Sequence, residues 1–208
     1  MGTPMILLCL ISEPIEDSHV VNENIKTDQS DEELIAAARD GDDEAFRQLV
    51  SKHQSRVAAT VIGMLGQCPE ADDVGQETFI RFYNALGHFR GESGVETYLT
   101  RIAINLSLNE LKRRKRRNWL FLPALGRKEE TFEARAPRIE LTEEAELLHQ
   151  AIQKLSPEFR SVVVLRMFEE RSTEETAALL GISEGTVKSR LARAHHKLKK
   201  LLQPYWGE

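Results

Sequence analysis

Residues 172–202 read STEETAALLGISEGTVKSRLARAHHKLKKLL, a stretch with the pattern of two short helices joined by a tight turn. Ser172 or Thr173 can cap the first helix and Ser183 the second, because a hydroxyl at this position accepts hydrogen bonds from free backbone amides. Gly181 lies between the two helices, where the turn favours a residue that tolerates a positive φ. The stretch therefore predicts a helix-turn-helix.

The second helix of this motif has one apolar and one basic face. At about 100° per residue, one stripe collects the apolar residues Val187, Leu191, Ala194, Leu198 and Leu201. Residues 185–203 contain six lysines and arginines and no acidic residue, which suits a DNA major groove flanked by phosphates. A solvated basic face is the alternative interpretation. The candidate DNA-binding residues are Gly185, Thr186, Lys188, Ser189, Arg190, Arg193 and Lys197.

Upstream of this motif the chain shows helix signals and no strand pattern. Ser30 opens a capping box that predicts a short first helix. Asp42 or Asp43 can cap a second helix, and Pro69 suits the first turn of a third. A fourth helix is predicted to run into six consecutive basic residues at 112–117. The first half is therefore expected to be a helical bundle.

Two helical domains are expected, because the helical period is lost between them. The intervening segment contains Pro123, Gly126 and Pro137 among mixed charges, as linkers do. The predicted organisation is a mobile acidic extension at residues 1–29, a first domain at 30–117, a flexible linker at 118–141 and a second domain at 142–203. The expected fold class is all-α, with two small helical domains joined by a flexible linker.

The charge of the chain is unevenly distributed. The formal net charge is -5, yet residues 1–44 carry twelve acidic and two basic residues, which leaves 26 basic and 21 acidic residues in the remainder. Such segregation is compatible with nucleic-acid binding. The apolar run at residues 5–11 is too short to span a membrane and lacks the flanks of a signal peptide, so we expect no membrane insertion and a cytoplasmic location. The two cysteines, Cys9 and Cys68, support neither a zinc site nor a disulfide framework.

The third and fourth predicted helices each present a polar face opposite their apolar side. On the third, Ile80 is expected to be an exposed apolar residue among polar ones, which is typical of a protein interface. A solvated acidic face is the alternative there. On the fourth, an aromatic ring, an amide and cations face outward together, which suits unstacked single-stranded bases. The basic run that follows would contact the DNA backbone, although a solubilising helix end is the alternative.

Three further runs carry a resemblance to a known family: DDVGQETF at residues 72–79, FRGES at 89–93 and YLTRIAIN at 98–105. Together with the helix-turn-helix, their order and spacing resemble regions 2 and 4 of the extracytoplasmic-function (ECF) sigma factors of the sigma-70 family. The chain departs from the family pattern at Gly75, Val95 and Tyr98, where a larger apolar residue, an aromatic residue and a tryptophan are usual.

The resemblance implies an RNA polymerase sigma factor of stress response that directs promoter-specific initiation of transcription. Region 2 would bind the beta-prime clamp of core RNA polymerase and would melt and read the minus 10 element. Region 4 would read the minus 35 element in promoter DNA and contact the beta flap. The implied clamp-binding residues are Asp73, Gln76, Glu77 and Ile80. The implied minus 10 residues are Phe89, Arg90, Ser93, Tyr98, Arg101, Asn105 and Lys112. An anti-sigma factor is a further candidate partner.

Two other classes of function fit the sequence less well. A two-domain DNA-binding regulator would need a phosphate receiver with alternating strands and helices, or a pocket-forming sensor, and the first half predicts neither. A nucleic-acid enzyme would need a metal carboxylate cluster, a P-loop or a nucleophile with a paired base, and the sequence contains none of these. We therefore expect no catalytic residue, no metal and no cofactor.

Overall fold

A computed structural model describes residues 29–121 and 143–205 of the chain, and these residues form helices and turns without a strand. The helices are α1 (Asp31–Arg39), α2 (Asp43–Leu65), α3 (Pro69–Ala85), α4 (Val95–Phe121), α5 (Glu143–Gln153), α6 (Pro157–Val163), α7 (Thr173–Leu180) and α8 (Glu184–Leu202). A 3-10 turn, Leu86–His88, follows α3, and a π-helical turn, Val164–Phe168, follows α6. The expected all-α fold class is confirmed.

Side chains cap α1, α2, α7 and α8 at positions that the sequence indicates. Ser30 forms the expected capping box at the start of α1, and Ser172 forms an equivalent one at the start of α7. Asp42 caps α2, since its carboxylate accepts hydrogen bonds from two backbone amides. Gly181 has a φ of 64°, so the turn between α7 and α8 does use the left-handed region. The predicted helix-turn-helix is confirmed.

The long helix α4 continues past the expected end of the first domain. It runs to Phe121, so residues 118–121, which the sequence assigns to the linker, are helical. Basic residues are good helix formers and favour the C-terminal end of the helix dipole, which explains why the helix does not stop at the basic run. The rest of the expected linker and the expected acidic extension up to residue 28 lie outside the described residues.

The first half, α1 to α4, packs around an apolar core with an aromatic centre. Phe46, Phe82 and Phe89 are buried in it. The ring of Phe82 contacts that of Phe89 edge to face, with centroids 5.7 Å apart, and Tyr98 lies 5.0 Å from Phe89. Edge-to-face pairs of this kind contribute beyond their buried area. This cluster fixes the loop before α4 against α3.

The second half, α5 to α8, has two small apolar clusters of its own. The first joins α5, α6 and α8, and Val187 of α8 is fully buried in the second, against α7. Three apolar residues of this half, Val164, Leu165 and Leu179, are instead buried with the core of the first half. The two halves are therefore in direct contact along α2.

Polar side chains complete this contact, which we call the joint. The Thr60 hydroxyl donates to a carboxylate oxygen of Glu169 at 2.6 Å. The side-chain amide of Gln153 donates to the carbonyl of Gly63 at 2.9 Å, and Arg160 donates to the carbonyl of Met64. The π-helical turn allows Glu169 to reach α2, because its backbone amide bonds five residues back to Val164. No feature of the sequence predicts this turn.

Candidate nucleic-acid and polymerase interfaces

Helix α8 separates its apolar and basic faces as expected. Val187 and Ala194 are fully buried. Thr186 and Arg190 are half-buried at the edge of the basic face. The other residues that the sequence assigns to DNA are exposed on one side: Gly185, Lys188, Ser189, Arg193 and Lys197. The candidate minus 35 residues are thus brought together on one surface.

The basic side chains of this face differ in whether they already have a partner within the protein. Lys188 pairs with Glu184 of the preceding turn at 3.8 Å, and the ammonium of Lys197 lies 4.7 Å from the centre of the Phe159 ring. Arg193 makes no ion pair or hydrogen bond within the part of the chain that the structure describes. Its guanidinium is therefore free to meet a ligand from outside the protein.

An acidic residue stands beside this basic face. A hydrogen bond from its own backbone amide lowers the pKa of Glu158, and the Ser156 hydroxyl and the charges of Arg190 and Lys197 lower it further, against the opposing effect of burial. Glu158 is exposed and lies at the start of α6. Arg190 and Lys197 consequently have an acidic neighbour within the protein, which sets them apart from Arg193.

Helix α4 presents the expected polar face. Leu99 and Ala103 are buried beneath it, while Arg101, Asn105 and Lys112 are exposed. Tyr98 is half-buried because its ring packs against the aromatic cluster. The outer face of α4 thus carries the amide and the cations that the sequence assigns to the minus 10 element.

The loop before α4 differs from expectation at Phe89. The structure places this residue in the core, 7% exposed, where its ring packs against Phe82 and Tyr98. Polar neighbours suggest an exposed ring, but the aromatic cluster offers it a better environment. Phe89 therefore positions the loop and does not line its surface. Arg90 is exposed and Ser93 half-buried, so both remain at the surface.

The candidate polymerase face of α3 also differs from expectation at one residue. Asp73 is exposed, and Gln76 and Glu77 are half-buried. Ile80 is half-buried and packs against the core of the first half, so it is less exposed than the sequence predicts. Burial raises the pKa of Asp72, and the neighbouring Asp73 adds to this shift. The face is acidic with a partly covered apolar residue.

The described ranges 29–121 and 143–205 contain neither a metal-binding cluster nor a membrane-spanning helix. No group of three or more histidine, cysteine, aspartate or glutamate side chains is arranged to hold a metal ion there. None of the helices in these ranges is both long enough and apolar enough to cross a membrane.

Two family models match the chain. Sigma-70 region 2 matches residues 49–117, and the model described as Sigma-70, region 4 matches residues 145–198. The first match contains α3 and most of α4, and the second contains the helix-turn-helix.

Curated relatives agree with these matches over most of the chain. The RNA polymerase sigma-H factor of Pseudomonas aeruginosa is 38% identical over 191 residues, covering 88% of this chain and 98% of the relative. The ECF RNA polymerase sigma-E factor of Escherichia coli K12 is 33% identical over 196 residues, covering 84% and 95%. The ECF RNA polymerase sigma factor SigW of Bacillus subtilis is 30% identical over 177 residues, covering 81% and 95%.

Solved structures share the fold. CnrH, in complex with the cytosolic domain of CnrY, is 30% identical with a TM-score of 0.59 and covers 84% of this chain and 97% of that one. The sigma factor RpoE of Bartonella quintana, in complex with the anti-sigma factor NepR, has a TM-score of 0.63 at 23% identity, covering 76% and 97%. The resemblance drawn from the sequence is confirmed, and the chain belongs to the sigma-70 family as an ECF RNA polymerase sigma factor.

Proposed function

We propose a division of promoter recognition between the two halves of this sigma factor. Residues 30–117 act as region 2 and residues 142–203 as region 4, joined by the segment at 118–141, whose first four residues continue α4. The protein directs promoter-specific initiation by RNA polymerase and catalyses no reaction itself, since bond formation belongs to the polymerase. Its place of action is the cytoplasm, where the polymerase and the chromosome are.

The observation that carries the assignment of region 4 is the free guanidinium of Arg193. A fork of N–H donors on an exposed helix face matches the two acceptors that a guanine presents in the major groove. Its basic neighbours Lys188 and Lys197 are already engaged within the protein. We assign base reading in the minus 35 element to Arg193 and Ser189, and phosphate contacts to Lys188, Arg190 and Lys197, with Gly185 and Thr186 allowing close approach of the DNA.

Region 2 reads the minus 10 element with α4 and the loop before it. Asn105 offers a donor and an acceptor to the edge of an unpaired base, and Tyr98 offers an aromatic plane. Arg101 and Lys112 extend from the same face toward the phosphates. In the loop, Arg90 and Ser93 complete the pocket for a flipped base, and Phe89 supports it from the core.

The acidic face of α3 is the proposed contact with the beta-prime clamp of core polymerase. Asp73, Gln76 and Glu77 surround the partly covered Ile80. A polar rim around an apolar centre is typical of protein interfaces. We further propose that region 4 contacts the beta flap and that an anti-sigma factor binds this chain, as NepR binds the sigma factor with which it was solved.

The test of the proposed function begins with co-purification of the full chain with core polymerase and run-off transcription on genomic fragments. Wild-type protein should bind core and produce promoter-dependent transcripts. Binding without such transcripts would contradict the sigma function and favour a plain regulator.

The roles on α8 are then separated by Arg193→Ala and Lys188→Ala on the identified promoter. Loss of Arg193 should weaken binding by about 1–3 kcal/mol on the matched minus 35 element and by much less on a scrambled one. Loss of Lys188 should weaken both duplexes alike and reduce the salt slope by about one unit. Lys154→Ala, at an exposed lysine outside α8, is the matched control. Equal losses for both variants on both duplexes would remove base reading from Arg193.

A further inference from the structure

Arg39, in the last turn of α1, does not pair with the acidic residues that follow it. Residues 40–44 include four acidic side chains, yet Arg39 forms no ion pair within the part of the chain that the structure describes. Its guanidinium instead donates from Nε to the carbonyl of Leu86 at 2.8 Å and from Nη2 to the carbonyl of Phe89. The side chain therefore connects α1 to the loop that follows α3.

The two carbonyls lie at the two ends of the 3-10 turn that begins this loop. The carbonyl of Leu86 also accepts the backbone amide of Phe89 at 3.2 Å, so the planar fork of one guanidinium closes the turn from outside. On the other side, Phe82 and Tyr98 hold the ring of Phe89. Phe89 is consequently fixed through both its carbonyl and its ring.

Beyond Phe89 the loop has few contacts of its own. Arg90 and Glu92 are exposed, and their side chains approach each other only to 3.9 Å. Gly91 has a φ of 72°, so the chain turns there. Among the described residues, no hydrogen bond joins the backbone of residues 90–93 to the rest of the protein. The position of this segment therefore depends on the anchor at Phe89 and on the start of α4.

This segment contains Arg90 and Ser93, the two surface residues of the pocket for a flipped minus 10 base. Groups that recognise a ligand must be held within about 0.5 Å of their productive positions. From this arrangement we propose that Arg39 is a positioning residue for promoter specificity, which holds the loop in the shape that reads the flipped base and does not itself touch DNA. The inference rests on the proposed function for the role of the loop as base reader.

The surroundings of Arg39 argue against a direct contact with DNA. Residues 30–46 contain seven acidic residues, and Arg39 is the one basic residue among them. Such a surface repels a phosphate backbone. A change at Arg39 should thus alter the choice between promoter sequences and leave the salt dependence of binding as it is, whereas loss of a phosphate contact would do the reverse.

The first test compares Arg39→Gln with wild type in holoenzyme formed from the full chain and core polymerase. Binding is measured by fluorescence anisotropy on a fork template of the promoter identified by run-off transcription, with unpaired bases in the minus 10 element, and on templates with single-base changes there. Arg39→Gln should lower the preference for the matched base about 5-fold or more, with an unchanged salt slope. Arg39→Lys should restore only part of this preference, because an ammonium lacks the fork that spans both carbonyls.

Arg47→Gln is the matched control. It removes the same charge from an arginine whose ion pair, with Glu44, lies within α2. Its preference for the matched base should stay within about 2-fold of wild type.

Hydrogen exchange of the full chain alone, followed by mass spectrometry, tests the anchor without polymerase or DNA. Peptides that contain the amide of Phe89 should exchange about 5-fold faster or more in Arg39→Gln, because the turn that protects this amide loses its outer support. Peptides of α7 and α8 should exchange as in wild type. Faster exchange throughout the chain would instead show a general loss of stability and would contradict a local role.

An unchanged base preference in Arg39→Gln, or an equal loss in Arg47→Gln, would overturn this inference. So would a salt slope lowered by about one unit, which would make Arg39 a phosphate contact. The proposed function is judged separately, since core binding and run-off transcription by the wild-type protein report on it. Hydrogen exchange reports on the anchor in the free chain whether or not that chain initiates transcription.

Discussion

Arg160 joins the two halves of the protein through the ends of two helices. Its guanidinium donates to the carbonyl of Met64 in the last turn of α2, and to the carbonyls of Gln153 and Leu155 at the end of α5. It also bonds to the side chain of Gln153 at 2.7 Å. A cation is favoured at a helix C-terminus, where carbonyls have no partner within the helix. We therefore expect Arg160→Met to weaken both helix ends at once.

The size of the effect follows from two opposing contributions. Burial lowers the pKa of Arg160 to about 10, with the charge of Arg114 adding to the shift, so keeping the side chain charged costs about 3 kcal/mol. Hydrogen bonds from a charged donor contribute about 1.5–3 kcal/mol each. Losing four bonds while regaining the cost of burial leaves a net loss of about 3–9 kcal/mol. We expect the lower part of this range, about 3–5 kcal/mol, which is typical when one partner of a buried charged network is removed. For a chain of this size the melting temperature should fall by about 6–20 °C.

Scanning calorimetry of the full chain measures this loss. Because Arg160 connects the halves, the single transition should also broaden or split in Arg160→Met. Arg101→Met is the control, since Arg101 is exposed and substitutions at such sites change stability by less than about 0.5 kcal/mol. A fall in melting temperature of under about 2 °C in Arg160→Met would refute the reasoning and show that water replaces the guanidinium at the carbonyls.

Three further outcomes are expected. Gly75→Ala should stabilise the protein by about 1 kcal/mol, because alanine favours the helix over glycine and its added Cβ meets no atom within 4 Å. The melting temperature should rise by about 2–4 °C, and an unchanged melting temperature would contradict this. Burial lowers the pKa of His149, and the charge of Arg160 adds to this shift. As the pH falls, the histidine is therefore protonated at a higher pH in the unfolded chain than in the folded one. The free energy of unfolding should consequently fall as the pH drops below about 6.5. Urea unfolding at stepped pH should show a flatter dependence for His149→Gln, and identical slopes would exclude this residue as the cause. Asp73→Lys with Glu77→Lys should weaken binding to core polymerase in a fluorescence titration and leave the melting temperature unchanged, whereas equal affinity would remove this face from the interface.

The features that the sequence predicts well are those set by neighbours along the chain. A capping box needs only a serine and a glutamate three residues apart, so the starts of α1 and α7 follow from Ser30 and Ser172. The turn at Gly181 and the buried stripe under Val187 are local in the same sense. For this reason the helix-turn-helix and the buried and exposed faces of α4 and α8 could be predicted from local sequence signals and helical periodicity.

The features that the sequence misses depend on residues far along the chain. Phe89 looks exposed among polar neighbours, but Phe82 and Tyr98 bury it. The sequence predicts one continuous surface for the basic run at residues 112–117. In the structure two of its arginines bind Glu70, which lies more than forty residues earlier. Only the ion pairs that arginines of this run form with Glu110 could have been found beforehand, since they have the spacing of one helical turn.

The joint shows why such distant contacts matter for function. Apart from its apolar residues it consists of polar and charged groups, and Arg171 adds an ion pair with Glu96 of α4. Nε of Arg160, Oε2 of Glu169 and Nε of Arg171 are buried without a hydrogen-bond partner among the described residues. Unsatisfied buried groups of this kind make an interface easier to separate than apolar burial of equal area.

Promoter geometry requires that separation. The minus 10 and minus 35 elements lie roughly 25 base pairs apart, or about 85 Å along B-DNA at 3.4 Å per base pair. A compact chain of this length is about 45 Å across. With α4 on the minus 10 element and α8 on the minus 35 element, as proposed above, the two halves cannot read both elements while the joint is closed. The two elements lie nearly twice as far apart as the folded chain is wide. We therefore expect the joint to open on a promoter, and its imperfectly paired polar groups, which water can satisfy once exposed, suit such a separation.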